Sequence, residues 1–199
     1  MSHGHGGPGW EFGTCLWSPR LNRAGHDAYV LMRAPLGNDL VIHILKDHRI
    51  GDRFSTHIVG HSMVRSRASV VDTEPPSPGA WAGMPQYYRI ELREYTPFGN
   101  PVPLDTFLQD FEVEIRTEIE STHPRYYPFT VNAGVLRLNQ GQYLTLCTPI
   151  LFENIKTILE IGSTEVPTAG PNNDNSPVYE FGEGRRMSAE RQFFARKTS

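Results

Sequence analysis

From Leu40 to Val70 the chain reads LVIHILKDHRIGDRFSTHIVGHSMVRSRASV, two β-type runs around a polar turn, and this confines it to folds built on a sheet. Leu40 to Leu45 is apolar apart from His43 and predicts a buried strand. Asp47 to Arg53 predicts a turn and Thr56 to Arg67 the next strand. In that second strand Ile58, Gly60, Ser62 and Val64 share one face, and Val59, His61, Met63 and Arg65 the other. Glycine removes a side chain from its face, which predicts a bulge, a bend or room for a ligand.

The rest of the chain supplies partners for this hairpin. Glu11 to Trp17 predicts a first strand, stopped by Ser18-Pro19, and a short helix is expected around Asp27 to Met32. Asp72 to Pro85 is a proline-rich loop bearing Trp81, and Tyr87 to Tyr95 alternates as a strand. Leu104, Phe107, Leu108, Phe111 and Ile115 give Leu104 to Ile119 helical spacing. His123 to Thr130 reads as an aromatic loop, and Asn139 to Gln142 turns into Tyr143 to Leu146. Thr148-Pro149 opens the best helix: threonine as cap, proline in the first turn, and an apolar stripe through Leu151, Phe152, Ile155, Ile158 and Leu159. Gly162 to Gly184 has the composition of a linker, and a short helix is expected over Ser188 to Lys197. The predicted class is α+β, a mixed sheet closing into a barrel or near-barrel with flanking helices.

At 199 residues the chain fits one domain with appendages, and 16 Pro with 18 Gly point to long loops or disordered ends. Residues 1–9 read as a flexible leader, in which a metal held by His3 and His5 is the weaker alternative. Formal net charge is −3, so any phosphate-binding surface has to be a local patch. Cys15 and Cys147 each lie in an apolar run and are expected to be buried free thiols. No apolar stretch is long enough to span a bilayer and no signal peptide opens the chain, so no membrane partner and a cytoplasmic location are expected.

The order of these features resembles a known family. A strand ending Trp17-Ser18-Pro19 is followed by strand Leu40–Leu45, the run Ile58 to Val64, a loop with Trp81, strand Tyr87–Tyr95, and Pro103-Leu104 opening a helix. This is similar to the EVE and YTH-like branch of the PUA superfamily, small mixed β-barrels that read modified bases. The closest likeness is to reader modules of modification-dependent McrA-type restriction proteins, where a later segment resembles Tyr127-Pro128-Phe129 and Leu136 to Leu144. The resemblance spans residues 10–161 as the reader domain, with 162–199 as a linker-like tail. Glu183-Gly184-Arg185-Arg186, Arg191 and Arg196 look like the approach to a His-Asn-His nuclease module, yet no such module follows in this sequence. The resemblance implies a reader without a cutter, either a piece of a longer protein or a naturally short one, with a nuclease module or partner left open.

Such readers extrude the target base and hold it between aromatic faces, because a modification inside the duplex cannot otherwise be enclosed. Carried over, the pattern makes Trp17 and Trp81 the cage, with Ser18, Asn22, Ser62 and Tyr127 completing the modified-base pocket. Arg20, Arg23, Arg65, Arg67 and Arg125 become contacts to the DNA backbone, which set affinity and salt dependence. Each has an ordinary alternative: Trp17 and Phe129 as core aromatics, His43 as a hydrogen-bonded core histidine, His61 as a surface histidine, the arginines as solvated charges. The expected partner is double-stranded DNA carrying 5-methylcytosine, with 6-methyladenine, modified RNA, or a protein-interaction barrel as alternatives. No Gly-x-Ser-x-Gly, P-loop, dinucleotide or His-Glu-x-x-His pattern occurs. No enzyme activity, cofactor or metal is therefore expected, and Glu112, Glu114, Glu118 and Glu120 read as a solvated helix face.

Overall fold

The structure, a computed structural model, describes residues 13–50, 53–75, 78, 81–121, 126–139, 143–164 and 192–198. The leader 1–9, Arg125 and most of the linker-like tail lie outside them. The described elements form a mixed α+β unit, a strongly curled, largely antiparallel half-barrel with three helices. The strands are β1 (Cys15–Pro19), β2 (Leu40–Ile50), β3 (Arg53–Val64), β4 (Ser69–Val71), β5 (Tyr87–Pro103), β6 (Phe129–Asn132), β7 (Val135–Leu138), β8 (Leu144–Cys147) and β9 (Gln192–Thr198). The helices are α1 (Leu104–Asp110), α2 (Glu112–Ser121) and α3 (Pro149–Thr164), and a 3₁₀ turn occupies Val30–Arg33. A seven-stranded sheet runs β1-β5-β3-β2-β9-β8, with β4 also on β5, while β6 and β7 form a separate hairpin.

The central hairpin is longer than the sequence predicts. β2 and β3 stay paired to Ile50 and Arg53, so the polar turn shrinks to its tip, and β5 runs through to Pro103. Both extensions come from pairing: β5 has β1 and β4 along its first half and β3 along its second, where even Pro97 and Pro103 have partners in Gly60 and His57. The register shifts between Ile58 and Gly60 and between His61 and Met63, and irregularities of this kind bend a strand and increase its twist.

Gly60 does not open a ligand space. A Cβ there would lie 2.5 Å from the Thr96 carbonyl oxygen and 3.0 Å from Pro97 Cα and the Tyr95 ring. The glycine is needed because β5 and Tyr95 already fill its face. Gly13, at φ +84°, also lies against Tyr95, where a Cβ would be 2.5 Å from the ring.

Side chains of the sheet divide between two clusters. Val41 and Ile42 are neighbours on β2 and so point to opposite faces. Ile42 joins Ile44, Ile58, Phe107, Ile115, Phe129, Leu151 and Ile155, where the helices and the β6–β7 hairpin cover the sheet. Val41 joins Val64, Tyr88, Ile90, Leu92, Tyr29, Met32 and Leu144, with Trp81 and Tyr143 packed against them. The second cluster lies under the loops that follow β1 and precede β5.

Four further expectations are corrected. The helix from Leu104 breaks at Phe111, whose φ of −116° ends α1 before α2 begins. The aromatic loop ends in strand β6, turned into β7 through Ala133 and Gly134 at positive φ. Of the helix expected over Ser188 to Lys197, the first four residues lie outside the described residues, and from Gln192 the chain is strand β9, parallel to β2 and antiparallel to β8, so the tail includes a member of the sheet. Glu118 is not solvated: its side chain is buried, and its Oε2 accepts hydrogen bonds from Tyr127 Oη at 2.8 Å and Thr148 Oγ1 at 2.7 Å. Thr148 does cap α3, accepting from the Leu151 amide at 3.2 Å.

Candidate nucleic-acid interface

The loop after β1 and the loop before β5 meet at one end of the sheet. The Arg20 amide donates to the Gln86 carbonyl at 2.9 Å, and the Gln86 side chain accepts from the Arg20 guanidinium while donating to Asp72 at 3.0 Å. Within the first loop Asn22 builds a closed turn. Its Oδ1 accepts from the Ala24 and His26 amides at 3.0 and 2.9 Å, its own amide donates to His26 O at 2.8 Å, and Gly25 returns a bond to Asn22 O at 2.9 Å. Asn22 thus shapes the loop, with its side-chain oxygen engaged twice by backbone.

Trp81 is held from three directions. Its amide donates to Pro78 O at 3.0 Å, its carbonyl accepts from Tyr87 Oη at 2.7 Å, and the adjacent turn is pinned where Gly83 N–H donates to Glu74 Oε1 at 2.8 Å. The half-buried ring meets Tyr29 edge to face, with centroids 5.9 Å apart and planes at 83°. Tyr29 in turn meets Tyr143 at 5.2 Å and 76°. A hydrogen bond links Trp81 to the Tyr143 side chain, and since the indole is donor only, its N–H donates to the phenol oxygen. Burial raises the pKa of both Tyr29 and Tyr143, more so for Tyr143, which also lies beside Tyr29. Both remain neutral phenols at physiological pH. Over the Trp81 ring lies the guanidinium of Arg23, its Cζ 5.8 Å from the centroid.

Trp17 belongs to a different surface. In β1 it is paired with Arg89 and, with Tyr87, occupies one face of the β1–β5 ladder, whereas Leu16 and Ser18 go with Ile90 and Tyr88 to the face of the second cluster. The ring meets Tyr87 at 6.2 Å and 74°, and the Arg89 guanidinium stands over it at 5.5 Å. The two tryptophans are therefore on opposite faces of the ladder, joined through Tyr87, whose ring touches one and whose hydroxyl holds the other. They do not form the two walls of a single slot.

The remaining predicted residues are dispersed. Ser18 is buried and its hydroxyl donates to Pro19 O at 3.2 Å. Ser62 is 0 % exposed, donating to Gly13 O at 3.1 Å and bonded to His43 Nε2 at 2.8 Å. Because the serine proton goes to Gly13, His43 must carry its proton on Nε2. A buried Ser–His pair invites comparison with a nucleophile and its base. Burial, reinforced by nearby His61, lowers the His43 pKa to about 3, too weak a base for that work at neutral pH, and Ser62 has no path to a substrate. His43 is thus the hydrogen-bonded core histidine predicted from its apolar run. His61 is half-buried against Phe98 at 5.8 Å.

Tyr127 is wholly buried in the first cluster, its hydroxyl on Glu118, and burial and that carboxylate raise its pKa. It stands among the helices, away from the Trp81 loops. Arg65 and Arg67 are exposed in the break between β3 and β4, where both strands run along β5. Arg20 and Arg23 are exposed on the Trp81 side. Of the predicted set, the structure brings together Arg20, Asn22, Arg23 and Trp81. It adds Tyr29 and Tyr143, which the sequence carried no signal to single out, because their contacts with Trp81 join segments far apart in the chain.

Among the described residues no group of three or more His, Cys, Asp or Glu side chains is arranged to hold a metal ion. Among them, too, no helix is long and apolar enough to cross a membrane. No protein-family profile matches the sequence, and no curated protein matches it.

Proposed function

We propose that this chain is a PUA-like reader of modified DNA, which extrudes a 5-methylcytosine base from the duplex and stacks it on Trp81. The observation that carries the reading is the Tyr29–Trp81–Tyr143 cluster, with an arginine on the tryptophan face, at the meeting point of two hydrogen-bonded loops. A planar group is enclosed by such a face and edge arrangement, and base–aromatic stacking contributes roughly 1–3 kcal/mol per base. Exposed Arg20, Arg65 and Arg67 supply backbone contacts, and the chain acts in the cytoplasm as a binder rather than a cutter.

The test is a gel shift with matched duplexes carrying 5-methylcytosine, 5-hydroxymethylcytosine, 6-methyladenine or no modification. Preference for 5-methylcytosine is expected. Preference for another duplex would reassign the base, and equal binding to all would end the reader reading. Trp81→Ala should weaken the preferred duplex at least about tenfold through lost stacking, with far-UV dichroism unchanged. An unaltered affinity in the folded variant would remove Trp81 from the site.

A further inference from the structure

One face of the Trp81 ring already has a partner. Arg23 lies over the ring at 5.8 Å, while Tyr29 meets it nearly at right angles and Tyr143 engages the indole N–H. The backbone beneath Arg23 is fixed by the four hydrogen bonds around Asn22, yet the side chain itself is exposed. The guanidinium is carried on a long side chain with several rotatable bonds, so it can change place while the loop backbone stays where it is. A guanidinium and a nucleobase are both planar and both stack on indole, so they compete for one surface.

We propose that Arg23 is the resident occupant of the Trp81 stacking face, exchanged for the extruded base on binding, after which its charge is free to meet a DNA phosphate. This rests on the reader function proposed above. It gives Arg23 two opposed effects. Before binding it competes with the base; afterwards it contributes to backbone attraction. A surface cation–π contact of ordinary strength corresponds to competition of about two- to fivefold.

The two effects separate by ligand. 5-Methyl-2′-deoxycytidine and N6-methyl-2′-deoxyadenosine carry a base and no phosphate, so they report the stacking face alone. With the full chain, tryptophan fluorescence titrations of wild type and Arg23→Ala should show the nucleoside bound about two- to fivefold more tightly by the variant. For the modified duplex the variant should bind more weakly, with a salt slope smaller by about one. Nucleoside affinity equal to or below wild type, or nucleoside binding by neither protein, overturns the exchange. If wild type still separates modified from unmodified duplexes in that case, the reader function stands without it. If wild type does not separate them, the reader function itself has failed, whatever Arg23 does.

Discussion

His43 is held in the neutral form by its surroundings: the Ser62 hydroxyl on Nε2, the Tyr95 ring at 5.5 Å, and a site closed to water. Its pKa falls from 6.5 to about 3 on folding, chiefly through burial. The unfolded chain therefore takes up this proton between those values and the folded chain does not. The resulting stabilisation is complete above pH 6.5, declines as pH falls below it, and is exhausted near pH 3. The loss amounts to about 2 kcal/mol by pH 5 and on the order of 5 kcal/mol in full. His43→Gln, which keeps a donor toward Ser62, should flatten urea midpoints measured between pH 7 and pH 4. An unchanged acid slope would mean that other groups carry it. At the same scale Gly60→Ala should cost roughly 1–3 kcal/mol in urea unfolding, because the obstruction is the Thr96 carbonyl and not a movable side chain.

Among the elements, α3 begins at a junction of three segments. Thr148 caps the helix and donates to Glu118 on α2, while Tyr127, leading into β6, donates to the same oxygen. Thr148→Ala removes the cap and one of the carboxylate's two hydroxyl partners. A loss of about 1–3 kcal/mol is expected by chemical denaturation, with Thr148→Ser restoring most of it; equal loss in both variants would implicate the methyl group instead. This helix was readable from Thr148-Pro149 because capping and amphipathic spacing are local. So were the early strands and the histidine in its apolar run. What escaped depends on distant partners: the length of β5, β9 as a strand in a polar tail, and Glu118 drawn inward from an acidic helix by two hydroxyls. The candidate site divides in the same way. Trp81 and the Arg20–Arg23 loop were visible as residue types in loops, whereas the side of the β1–β5 ladder taken by Trp17 depends on register, and Tyr29 and Tyr143 on tertiary approach.

For the whole molecule, a net charge of −3 means that, in the proposed reader, attraction to DNA has to come from where the arginines stand, not from their number. Arg65→Ala combined with Arg67→Ala should weaken modified and unmodified duplexes by similar factors and lower the salt slope by about two. A loss confined to modified DNA would make them readers of the base. The topology has a separate bearing on how the molecule is assembled. β8 joins the sheet through β9, and β9 lies between β8 and β2 although β2 comes far earlier in the chain. Local hairpins such as β2–β3 and β6–β7 can form as soon as their own residues are available. The β2–β9 pairing must close a loop through nearly all the intervening chain, with the entropy of that closure spent before its hydrogen bonds form. Until it does, one side of β2 presents unpaired amides and carbonyls, making that strand the place where a partly folded molecule is most open to pairing with another copy.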